Sequence, residues 1–114
     1  MSVVNEQDVI SRIKDIVLST DGVASLTENL TEQLSKSILG IKSPNKGIKL
    51  SKDKRGIIVY IFVMINYGEN IPEISWNIQD NVANALKQDF KLNIAKIDIH
   101  VQGVKFKRKI NERK

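Results

Sequence analysis

"IIVYIFVMINYGENIPEISWNIQDNVANAL", residues 57 to 86, carries two periodicities on either side of a short polar break. From 57 to 65 nine residues in a row are apolar or aromatic. One face of this strand carries Ile57, Val59, Ile61, Val63 and Ile65, the other Ile58, Tyr60, Phe62 and Met64. Two apolar faces predict a strand that is central in its sheet and covered on both sides. Left open, such a run is an aggregation hazard. Beyond Gly68 the period lengthens. Ile71, Ile74, Ile78, Val82 and Ala85 fall on one helical stripe, widened by Leu86, that would pack on the sheet. Between the two, Gly68 tolerates the positive φ of a sharp strand exit. Asn70 is suited to cap the helix, and Pro72 to sit in its first turn, where a missing N–H breaks no bond. The joint is a strand-to-helix turn, and it needs no chemistry.

Outward from this joint the remaining elements follow. "IKL" at 48 to 50 pairs with the long strand, 57 to 67, as an antiparallel hairpin around "SKDKRG". A final strand at 94 to 103 alternates, with Ala95, Ile97, Ile99 and Val101 inward and Lys96, Asp98, His100 and Gln102 outward. Near the start, Val9, Ile10, Ile13, Ile16, Val17 and Thr20 predict an amphipathic helix over 6 to 20, capped by Asn5 and ended near Gly22. "GVASL", 22 to 26, is a short strand. "NLTEQLSKSILG" spaces Leu30, Leu34, Ile38 and Ile41 like one helix face, and "KSPNKG" is a loop. The expected fold is α+β, a single two-layer domain in the order α-β-α-β-β-α-β. Its small mixed or antiparallel sheet is packed by helices. Residues 1–104 make the domain and 105–114 a basic, flexible tail.

Composition narrows the function. The chain has 114 residues, 41% hydrophobic but only 5% aromatic, so burial rests on aliphatic packing. There is no cysteine, which excludes disulfides and thiolate metal sites. The opening "MSVVNEQD" lacks the basic and apolar parts of a secretory signal. The nine-residue apolar run falls short of the ~20 residues that span a bilayer as a helix. The net charge of +5 resides in the last ten residues, where Lys105, Lys107, Arg108, Lys109, Arg113 and Lys114 face Glu112 alone. A second basic stretch lies at 42 to 55.

Candidate chemistry is sparse. His100 is the only histidine, and Asp98 shares its strand face, so the two are within reach of a hydrogen bond. No motif places a nucleophile or oxyanion hole beside them, and a third metal ligand is missing. A solvated strand histidine is the plainer reading. Neither phosphate-binding glycine pattern occurs. The tail can attract anionic lipid or nucleic acid weakly through its charge, or serve as a solvated terminus. Trp76, the only tryptophan, lies nearly opposite the Ile78 stripe beside Asp80, Ala83 and Lys87. It covers a neighbouring loop or forms, with Ala83 and Lys87, part of a protein interface.

"VYIFVMINYGENIPEISWNIQDNVANAL" followed by "LNIAKIDIHVQGV" resembles the alkaline-shock-protein family of Gram-positive and related bacteria, and "GVASL" and "KGIKL" fit its two shorter signatures. The Tyr67-Gly68 to Pro72-Glu73 joint and Val101 to Val104 are the most specific parts. The resemblance implies a cytoplasmic α+β domain with no known catalytic activity, associated with alkaline and envelope stress. Some members sit at the inner face of the membrane through a membrane-embedded partner, and others are linked to fatty-acid metabolism by genetic setting. It supplies no catalytic residue, cofactor or small-molecule substrate to carry over. Trp76 departs from the polar residue usual at its position. The expectation is a non-enzymatic scaffold or adaptor in envelope or alkaline stress, a homo-oligomer acting through protein partners. The alternative is a nucleic-acid-binding module using 42–55 and 105–114.

Overall fold

The computed structural model describes residues 4–28 and 46–106. Over them the order is α1 (Glu6–Leu18), β1 (Val23–Leu26), β2 (Ile48–Asp53), β3 (Gly56–Asn66), α2 (Ile71–Phe90) and β4 (Ile94–Lys105). The helix expected over 29 to 41 lies outside the described residues, as does most of the basic tail.

The long apolar strand is the hub, as its two apolar faces predict. β2 pairs antiparallel with Gly56 to Ile61 of β3, and β1 antiparallel with Val63 to Ile65. β4 runs parallel to β3 from Ile57 to Asn66 and so overlaps both. A strand has two edges, so β1 and β2 lie end to end along one edge of β3 and β4 takes the other. The sheet is mixed. Phe62 marks the join: its N–H donates to Gly47 O (2.8 Å) and its carbonyl accepts from Thr27 N–H (2.9 Å). The parallel pair requires a crossover, and α2 is that crossover.

The joint takes the form read from the sequence. Gly68 has φ 90°, and open space surrounds the place a Cβ would occupy, so its backbone alone calls for glycine there. Asn70 Oδ1 accepts from Glu73 N–H at 3.0 Å, and Asn5 Oδ1 caps α1 by accepting from Gln7 N–H at 2.8 Å. Ile74, Ile78, Val82, Ala85 and Leu86 bury the predicted stripe of α2. They meet Val9, Ile10, Ile13 and Val17 of α1 and the Val59, Ile61, Val63 and Ile65 face of β3 in one core. Arg12 Nε donates to Asp89 Oδ2 at 2.9 Å and clips the two helices side by side.

Several expectations need correction. α1 stops at Leu18, because the Ser19 and Thr20 hydroxyls both donate to the Ile16 carbonyl (3.1 and 2.8 Å) and compete with the helix. Gly22, at φ 95°, turns the chain into β1 rather than ending the helix. β2 continues to Asp53, so the hairpin turn is short. β4 continues to Lys105, and a bulge near its start puts Ile94, not Ala95, against the core. Both described helices lie on one sheet face. On the other face Phe62 is buried while Ile58, Tyr60 and Met64 are half-buried, and among the described residues no helix covers them. Each helix has a single apolar stripe, and a crossover can cover only one face.

Candidate interaction surface

The outer side of α2 and the free edge of β4 meet along one flank of the domain. Gln79 Nε2 donates to the Ile97 carbonyl at 3.0 Å, which fixes that side of α2 above the edge strand. Trp76 lies one turn before Gln79 and Ala83 one turn after it, so both share its side. Trp76 is 62% exposed, Ala83 is half-buried and Lys87 lies further outward, exposed. The sequence placed Trp76 away from the core stripe correctly. It could not place Gln79 over the edge strand, because that depends on where the crossover sets α2.

The edge itself follows from the register. Ile57 of β3 and Tyr67, just past its end, donate to the carbonyls of Asn93 and Lys105 (2.8 and 2.9 Å), so the odd residues of β3 turn their backbone groups toward β4. With Val59 opposite Ile97, Ile61 opposite Ile99 and Val63 opposite Val101, the parallel ladder uses the groups of Lys96, Asp98 and His100. The backbone groups of Ile97, Ile99 and Val101 therefore point to the outer edge. Their side chains pack partly against the core.

On the helix-free face β4 presents Lys96, Asp98 and His100 opposite Ile58, Tyr60 and Phe62. His100 Nε2 lies 3.1 Å from Asp98 Oδ2, and Lys96 Nζ 3.8 Å from the same oxygen. The imidazole stacks on the Phe62 ring at 4.8 Å and 17°. The plainer reading of His100 is a solvated strand histidine; the structure sets it against Asp98, the pairing that their shared face allows. Among the described residues no group of three metal-ligating side chains accompanies it.

At the far end of β4, Phe106 stacks on Tyr67 at 4.6 Å and 28°, with both rings largely exposed (67% and 65%). Lys105 closes the strand, and the other tail residues, Lys107, Arg108, Lys109, Arg113 and Lys114, lie outside the described residues. Sequence reading missed this stack. Its signal was the parallel register, which brings the exits of β3 and β4 together. A shallow depression of about 430 Å³ between the helices is lined by Arg12, Ser19, Thr20, Asn81, Asn84 and Gln88 among others, with no carboxylate or histidine. Among the described residues no helix is long and apolar enough to cross a membrane.

A profile of the family of alkaline shock protein 23, described as having a cell envelope-related function, matches residues 1–106. The uncharacterized protein YqhY of Bacillus subtilis is 29% identical over 106 residues, 92% of this chain and 78% of its own. The uncharacterized protein Spy1535 of Streptococcus pyogenes is 31% identical over 86 residues, 74% of this chain and 63% of its own. Among solved structures, the MamM CTD in a manganese form gives a TM-score of 0.56 over 87% of this chain and 99% of its own, at 11% identity. A tryptophan-to-alanine variant of that domain gives 0.58 over 98% and 91%, again at 11% identity. At such identity the likeness shows the fold alone.

Proposed function

The chain belongs to the family of alkaline shock protein 23, with its cell envelope-related function, and from that membership we propose a non-enzymatic scaffold or adaptor that works through protein contacts near the cytoplasmic face of the membrane. The observation that carries this reading is Trp76, a large indole left in water on the outer side of α2, one turn from the Gln79 that reaches the edge strand. Aromatics concentrate at the centres of protein interfaces, where burying them returns much of the binding energy. Ala83 and Lys87 complete the face on α2.

The test is affinity purification from the native organism, with membrane and soluble fractions compared for wild type and Trp76→Ala. The reading expects an envelope protein that co-purifies with wild type and is depleted with the variant. Equal recovery from both, or no protein partner in either fraction, would count against it. The tail, Lys105 through Lys114, adds a weak and salt-sensitive attraction to anionic lipid or nucleic acid. The nucleic-acid reading rests on this tail and on the exposed Lys49, Lys52 and Lys54 of the β2–β3 hairpin, where Asp53 engages Arg55. It requires affinity for nucleic acid well above that for anionic vesicles at equal salt.

A further inference from the structure

The outer edge of β4 is unpaired among the described strands. Its regular stretch lies between two bulges, one opposite Ile57/Ile58 and one opposite Val63/Met64. Inside that stretch three residues, Ile97, Ile99 and Val101, turn their N–H and C=O outward, and Ile99 is the middle one. No described strand pairs with this edge. Natural proteins blunt long edges with inward charges, proline or very short strands, because an open edge templates pairing with another chain. β4 has twelve residues, no proline, and aliphatic residues at all three outward-bonding positions.

We propose that a second copy of this chain docks on β4 in antiparallel orientation, about a twofold axis through Ile99, so that the two sheets become one. The proposal rests on the scaffold reading above and names its partner. In this register Ile99 pairs with Ile99 of the copy, and Ile97 with Val101 in each direction. All three outward residues are thereby bonded on both chains. Gln79 occupies one lone pair of the Ile97 carbonyl, and the other remains for the copy.

The same axis settles the side chains. Asp98 comes opposite His100 of the copy, and His100 opposite its Asp98. These are the non-hydrogen-bonded pairs, in which Cα atoms approach to about 4.5 Å and side chains lie closest. A carboxylate meets an imidazole twice, and like charges never face each other. Within one chain Asp98 Oδ2 lies near both His100 Nε2 and Lys96 Nζ, so the same carboxylate and imidazole already attract each other along β4 before the copy arrives.

The overhanging indole falls at the same level. α2 runs antiparallel to β4, and Gln79 sits over Ile97. Trp76 is three residues earlier, a rise of about 4.5 Å. That distance is between one and two residues along β4, which sets Trp76 beside Asp98 and Ile99. Two copies of Trp76 then approach the seam from either side and leave water there. Strand edge, charge pattern and indole lie at one level along β4.

The chain contains no cysteine, which makes a crosslinking test clean. Asp98→Cys and His100→Cys are prepared separately, mixed, and oxidised mildly, after circular dichroism confirms that each folds. The proposal expects a disulfide dimer in the mixture and little in either variant alone, because only the 98–100 pair reaches the 3.5–4.5 Å Cβ separation that a disulfide needs. Unmodified protein should sediment as a dimer, and Trp76→Ala should weaken it at least about tenfold. Single variants that crosslink alone as readily as the mixture would overturn the register. Sedimentation as a monomer at tens of micromolar would overturn the pairing. A monomer that still captures an envelope protein overturns this inference and leaves the scaffold reading standing.

Discussion

Lys91 ends α2 with φ 58°, the one described non-glycine residue in the left-handed region. Its N–H donates to the Lys87 carbonyl at 3.0 Å, and Leu92 N–H to that of Leu86 at 3.2 Å, so the conformation is held by the helix end. Glycine accepts it without the Cβ conflict. Lys91→Gly should therefore raise stability, by about 1 kcal/mol or less, and a shifted urea midpoint with unchanged slope would show it. At the hairpin, the Arg55 N–H (2.8 Å) and then its guanidinium (3.0 Å) hold the Asp53 carboxyl below the ordinary aspartate value. A lowered folded pKa means that any stabilisation is present above about pH 3.9 and is lost as pH falls through the folded value. Carbon-detected NMR titration should place the Asp53 midpoint below that of a model peptide. Arg55→Ala should move it only part of the way back, since the backbone donor remains; full return would assign the shift to the guanidinium. The caps at Asn5 and Asn70 were legible because each side chain reaches backbone within three residues. The Tyr67–Phe106 stack was not, because it depends on strand register.

β3 shows how far an element can be read from its own residues. Its central place followed from two apolar faces, and both edges are paired. Its amides should be among the slowest to exchange in the domain; rapid exchange there would contradict the topology. Ile61, with no exposed surface, sits where β3 meets the helices, and Ile61→Ala should cost about 2–5 kcal/mol. The second apolar face was read as covered, and the described helices leave it bare. Amphipathic stripes say that a helix packs, not on which side of a sheet it lands. For β4 the alternation was legible while both bulges were not, since one extra residue leaves composition and period nearly unchanged. Removing residues 107–114 should keep the melting temperature nearly constant, because Phe106 and its stack on Tyr67 are retained.

Across the whole molecule, charge and shape divide the work. The last ten residues carry all of the net charge of +5, so the tail's attraction to anionic vesicles should fall steeply with salt and vanish when 107–114 are deleted. Persistent binding by the truncated protein would move the contact to the hairpin lysines. For the proposed face, the helical wheel exposed Trp76, whereas the free edge of β4 is defined only once β4 is known to run parallel to β3. In the working state the proposed face is expected to be covered by protein. Trp76 is the only tryptophan, so its emission reports that flank alone. Emission measured across a dilution series should be blue-shifted at high concentration and move red as the assembly dissociates. Trp76→Ala should weaken the assembly while changing monomer stability by less than about 1 kcal/mol. Emission that stays blue at every concentration, in a protein shown by sedimentation to be monomeric, would contradict the account, because the indole would then be buried within its own chain.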